Sequence, residues 1–172
     1  PDGRKEADIK RFIRIEKIPG GSVEDCQVVP GVVLNKDVVH AKMARRIENP
    51  RIITLDCNLE YKKGDNMTNM DFSNPDAVEE ALRQEEEAVK TMVDHIAKFK
   101  PTLVLTEKGV SDLAQHYFVK YGISVLRRLK KTDNDRVARA TGAKIVNRPE
   151  DIKESDVGTR CGLFEVQKIG DE

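Results

Sequence analysis

His116 and Asp112 stand four residues apart, so on a helix they would share a face one turn apart. A carboxylate placed there can orient the imidazole, which could then act as a general base on a small molecule. The other groups capable of chemistry are scattered. His40 and His95 fall on separate stretches, and Cys26, Cys57 and Cys161 are widely spaced, no pair having the separation of a structural zinc or redox motif. Gly20-Gly21-Ser22 lacks the lysine and the following helix of a phosphate loop. There is no GxSxG, no HExxH and no acidic run with calcium-loop spacing. The expectation is a chain without catalytic, metal or cofactor residues of its own.

Charge separates the remaining candidates. Thirty basic and 30 acidic residues cancel, so no net field steers nucleic acid or an anionic membrane. Two clusters stand out locally. Arg127-Arg128-Leu129-Lys130-Lys131 could contact phosphates. It has no interleaved aromatics on which bases would stack, which favours a solvated strand end or a partner for the glutamate run at 79–87. A small nucleic-acid or regulatory protein-binding domain using 127–131 is the alternative function, and an enzyme using His116 with Asp112 a third.

The elements that would position these residues follow from periodicity and breakers. At 172 residues the chain suits one domain, and its cysteine usage suits a reducing cytoplasm. It starts at Pro1 and ends at Glu172 in polar runs, which reads as one domain of a longer protein. The first third reads as β structure, with strands over Arg11–Ile18 and Val28–Leu34 and a turn at Pro19-Gly20-Gly21. Asn35–Asn49 reads as a loop or short irregular helix, and Arg51–Leu55 as a buried strand. Asn74 caps, and Pro75 opens, a helix running to about Lys100. Ala88, Val89, Met92, Val93, Ile96 and Ala97 give its second half an apolar stripe. The first half offers only Val78, Ala81 and Leu82, so it should project from the body. The segment before it carries Met67, Met70 and Phe72 outside any helical register. Methionine adapts to many apolar shapes, so an adaptable contact surface and an unstructured excursion both fit.

After Pro101 the pattern alternates. Strands are expected at Thr102–Thr106, Ile123–Leu126, Ala143–Val146 and Leu163–Ile169. Helices are expected at Ser111–Tyr121, closed by Gly122, and at Asp133–Thr141, capped by Thr132 or Asp133 and closed by Gly142. In the first helix Leu113, Ala114, Tyr117, Phe118 and Tyr121 share one face. The sum is an α/β domain, β-rich in its first half, with one projecting element.

Several ordered blocks resemble the apical domain of group II chaperonins. They are Pro19-Gly-Gly-Ser-Val-Glu-Asp25, Gly31-Val-Val-Leu-Asn-Lys36, Glu48-Asn-Pro-Arg-Ile-Ile-Thr-Leu-Asp56, Asp112-Leu-Ala-Gln-His-Tyr-Phe118, Arg127-Arg128 and Ala140-Thr-Gly-Ala143. Leu59–Gly64, Glu107–Asp112, Lys131–Asn134 and Lys168–Glu172 look like one particular subunit type of the eukaryotic cytosolic member. The resemblance implies a chaperonin apical-domain-like fold, a β-rich core flanked by helices with a helical protrusion. The whole of 1–172 would be one apical, substrate-binding domain, with 62–87 as the protrusion and the equatorial and intermediate domains absent. The parent would be an ATP-driven folding machine of two rings, eight subunits in each, acting on actin, tubulin and other cytosolic chains. ATP and magnesium would belong to its equatorial domain. Nucleic acid and membrane would not be partners.

The family's client groove lies between a helix and a neighbouring loop, which match Ser111–Tyr121 and Lys36–Met43. With Leu113, Tyr117, Phe118 and Tyr121 turned inward, Asp112, Gln115, His116, Val119 and Lys120 should face the groove. Met67, Met70, Phe72, Val78 and Leu82 would belong to the lid. The groove face is polar, which favours selection by charge and hydrogen bonding.

Overall fold

Apolar runs became strands where a neighbouring run was available to pair with them. The computed structural model describes residues 13–61 and 75–169. Strand β1 (Arg46–Glu48) is followed by β2 (Ile52–Leu55), helix α1 (Pro75–Ala97), β3 (Leu103–Thr106), α2 (Asp112–Lys120), β4 (Ser124–Leu126), α3 (Lys131–Thr141), β5 (Ile145–Val146) and β6 (Leu163–Glu165). β2 to β5 form a parallel sheet in the order β4-β3-β2-β5. The chain steps outward from β2 to β3 to β4, then returns to the other side of β2. Right-handed crossovers therefore lay α1 and α2 on one face and α3 on the other. A two-stranded antiparallel ribbon of β1 and β6 stands beside this sheet.

Coverage on both faces explains the composition of the sheet. Every residue of β2, β3 and β4 is buried, so the strands read as continuous runs rather than alternating ones. Val89, Val93 and Ile96 of α1, Ala114 and Phe118 of α2, and Val137 of α3 complete the core. Two of its hydroxyls find backbone partners: Thr54 Oγ1 donates to Lys144 O at 3.1 Å, and Thr106 Oγ1 to Cys57 O at 2.7 Å. Asn134 Nδ2 donates to Leu55 O at 3.2 Å and Glu107 Oε1 at 3.0 Å, fastening the start of α3 to the carboxyl ends of β2 and β3. Gly158 pairs its backbone with Ile52, and a Cβ there would lie 2.6 Å from Thr141 Oγ1, so only glycine permits the approach.

The parallel sheet and helices agree with the expected α/β class, and the alternation after Pro101 is found nearly residue for residue. The first third differs. Residues 13–34 form no strand, because none of them finds a ladder partner among the described residues, and Ile13, Ile15, Val23, Val28 and Val29 are exposed. The one regular element there is a 3-10 turn at Val23–Asp25, with Ser22 N–H donating to Asp25 Oδ2 at 2.8 Å. The expected loop at Asn35–Asn49 contains β1, which exists through its pairing with β6. The last strand stops at Glu165 rather than Ile169. α3 starts at Lys131 without a side-chain cap, since Asp133 is turned to the guanidinium groups of Arg136 and Arg14. Asn74 lies outside the described residues.

Candidate functional site

Helix α2 is placed by its two ends. The Ser111 hydroxyl accepts from the Ala114 N–H at 3.2 Å and caps the first turn, while Asp112 and Lys120 complement the helix dipole at opposite ends. Ala114, Tyr117 and Phe118 face the core as expected. Gln115 departs from expectation. It is buried, with Nε2 donating to Val110 O and to Asp112 Oδ1, each at 3.2 Å, so it does not share the exposed face. A helical wheel puts Gln115 at the margin of the core, and the free carbonyl of Val110 just before the helix draws its amide inward. Val119 is half-buried. The exposed stripe therefore consists of Asp112, His116 and Lys120, each one turn from the next over about 12 Å. It carries an anion, an imidazole and a cation in order.

This stripe is not a catalytic dyad. Among the described residues His116 has no carboxylate partner; its ring stands edge-on to Tyr117 at a centroid distance of 6.1 Å. His40 and His95 are on other elements, and no group of three His, Cys, Asp or Glu among the described residues could hold a metal ion. Gly20-Gly21 leads into a three-residue turn rather than a helix.

Beside α2, the loop 36–43 is fixed along the outer edge of β4. Val39 N–H donates to Val125 O at 3.0 Å, Ser124 Oγ donates to Ala44 O at 2.8 Å, and Val38 and Met43 are buried. Since α2 packs on β4, helix and loop flank the same strand.

α1 divides as its composition implied. Val89, Val93 and Ile96 are buried, whereas upstream Val78 is only half-buried and Leu82 is 62% exposed. Met67, Met70 and Phe72 lie outside the described residues. Two contacts not legible in the sequence join α1 to α2: Tyr117 OH donates to Glu86 Oε1 at 2.9 Å and Tyr121 OH to Asp94 Oδ1 at 2.5 Å. Burial, with the Glu86 carboxylate beside it, pushes the Tyr117 phenol above its ordinary value. For Tyr121 the bond to Asp94 is the larger cause of the same shift. Tyr121, expected in the core, is 44% exposed, and its hydroxyl reaches α1. A shallow open depression lined by Glu60, Tyr61, Glu87, Met92 and Glu150 runs along another face of α1. Its parts lie too far apart in sequence to have been grouped.

The basic cluster is split by the core. Leu129 is buried, Arg127 and Arg128 follow the end of β4, Lys130 immediately precedes α3 and Lys131 opens it. Among the described residues none of these four cations makes an ion pair, so of the two plain readings the solvated strand end fits and the pairing with residues 79–87 does not.

A parallel sheet with a long half-packed helix beside a polar helix face defines a fold that comparison with known proteins places among the chaperonins. The chain belongs to the TCP-1/cpn60 chaperonin family, whose model matches residues 1–172. It is 63% identical over 167 residues to T-complex protein 1 subunit gamma of Saccharomyces cerevisiae, covering 97% of this chain and 31% of that protein. With the subunit gamma of Dictyostelium discoideum it shares 60% over 171 residues, 99% of this chain and 32% of that protein. The chain thus spans about a third of the length of these relatives. Among solved structures, the open-state monomer of a group II chaperonin from Methanococcoides burtonii superposes with a TM-score of 0.77 at 29% identity, over 95% of this chain and 34% of that one. The resemblance seen in the sequence blocks holds, and the fold favours the chaperone reading over a nucleic-acid module on residues 127–131. No helix among the described residues is long and apolar enough to cross a membrane.

Proposed function

We propose that this chain is the client-binding and lid domain of a subunit of the eukaryotic cytosolic chaperonin. The observation that carries the reading is the pairing of two features in one family-matched chain. From Val78 to Glu87 α1 buries no side chain fully, and beside its root α2 presents a polar stripe to solvent. The outer half, within 62–87 and including Val78 and Leu82, would serve as lid. Asp112, His116 and Lys120, with Val119 at their margin, would contact non-native chains, and the loop 36–43 would form the opposite wall.

In this reading the full-length protein assembles with related subunits into two stacked rings of eight, and actin and tubulin are among its clients. ATP and magnesium act in an equatorial domain, so this chain contributes recognition and closure but no catalysis. The stripe offers single polar contacts of about 1 kcal/mol each. Useful affinity then requires several domains to engage one client together.

The test is photo-crosslinking in the assembled ring, with a crosslinker replacing His116 or Lys120 in the full-length subunit. Contact with bound unfolded actin from both positions is the expected result. Crosslinks from Leu82 alone would transfer the capture role to the lid and remove it from α2.

A further inference from the structure

Tyr117 and Tyr121 lie four residues apart on α2, and their acceptors Glu86 and Asp94 lie eight apart on α1. Both pairs ascend in the same sense, as two parallel helices from successive right-handed crossovers require. The fully buried apolar seam of α1 begins at Val89. Glu86 is three residues farther out, so the Tyr117 hydroxyl grips α1 one turn beyond the seam. Asp94 lies level with the seam, between Val93 and Ile96. The two acceptors are therefore separated by about 12 Å along the helix axis. One such contact fixes a pivot, whereas two fix a direction.

We propose that Tyr117 and Tyr121 are positioning residues that lock the root of the unburied half of α1 to α2, so that the exposed stripe of α2 and the outer half of α1 move as one body. Apolar packing cannot do this beyond Val89, because Leu82 and the glutamates around it have no core to enter. His116 supplies the link to the stripe: its exposed ring stands edge-on to the Tyr117 ring that holds Glu86. The consequence, that a client on α2 bears directly on the lid, rests on the function proposed above. The clasp itself does not.

Hydrogen exchange on the 172-residue chain tests the clasp. Tyr117→Phe keeps the ring and removes the hydroxyl, and should speed exchange at 82–87 about tenfold while leaving 89–97 unchanged. Glu86→Ala, a substitution at an exposed position, should do the same. Glu86→Gln keeps an acceptor oxygen and should stay within about twofold of the parent. Tyr117→Phe with Glu86→Ala should be no worse than either alone, since both remove one contact. The clasp is overturned if Tyr117→Phe and Glu86→Ala leave 82–87 unchanged, if their effects add independently, or if Glu86→Gln behaves like Glu86→Ala. Failure of the His116 crosslinks with this exchange pattern intact would remove the client reading alone. The reverse outcome would remove the clasp alone.

Discussion

The two halves of α1 share one helical backbone and have opposite surroundings. From Ala88 onward, Val89, Val93 and Ile96 are closed off from solvent by the sheet and α2. From Val78 to Glu87 no side chain is fully buried, and the helix is carried by glutamates and local contacts such as Gln84 Nε2 donating to Glu80 Oε1 at 3.1 Å. Local contacts of that kind are worth only a few tenths of a kcal/mol each. An element can therefore be helical throughout while only half of it contributes to the core. The difference marks the outer half as available for something other than folding.

Truncating side chains should break the symmetry most sharply. Ile96→Ala opens a cavity under α1 and should cost about 2–5 kcal/mol in urea unfolding. Leu82→Ala, of similar size but in the outer half, should change stability by about 0.5 kcal/mol or less. Comparable losses from the two would mean that the outer half packs on the body after all.

A smaller effect separates the clasp from the seam. The Tyr117 and Tyr121 phenols are held above the ordinary value of about 10, so their protonated forms are favoured in the folded state. Their contribution should be fully present below pH 10 and decline as pH rises through the raised values. The stability difference between the parent and the Tyr117→Phe, Tyr121→Phe double variant should hold from pH 7 to about 10 and shrink above it. Referring to the variant cancels every charge the two chains have in common. A difference that does not change up to pH 11 would show that the folded state does not favour the protonated phenols, against the raised values.

The sequence disclosed the sheet and its helices because their signals are local. Ile52–Leu55 and Leu103–Thr106 are apolar runs between breakers, and Ser111, Gly122 and Gly142 mark helix ends by their own backbone chemistry. The misassigned stretches depend on partners. The Ile13–Ile18 and Val28–Leu34 patterns suit strands but have no ladder to join, and Arg46–Glu48 is a strand only because Leu163–Glu165 lies across from it. The candidate site was legible to the same extent. Helical spacing placed Asp112, His116 and Lys120 on the exposed face of α2. It misplaced Gln115, because a carbonyl outside the helix decides where a marginal amide turns. It also missed both phenol–carboxylate contacts, whose partners lie 31 and 27 residues apart.

A modest effect on stability should accompany the largest on recognition. Asp112→Asn with Lys120→Gln removes both charges of the exposed stripe, and Asn keeps the oxygen that accepts from buried Gln115. Reversing Asp112 to lysine would instead leave one Gln115 donor without its acceptor, which mixes folding with recognition. Neutralisation forfeits favourable interaction with the helix dipole at each end, about 0.3–1 kcal/mol apiece. The fold should persist, with hydrogen exchange in β2 and β3 unaltered. If the stripe selects clients by charge, crosslinking yields from His116 should fall for some unfolded chains and rise for others, in step with their charge. An unchanged client profile with an intact fold would mean that the stripe is a wet helix face. Recognition would then belong to the outer half of α1, the half with nothing of its own to bury.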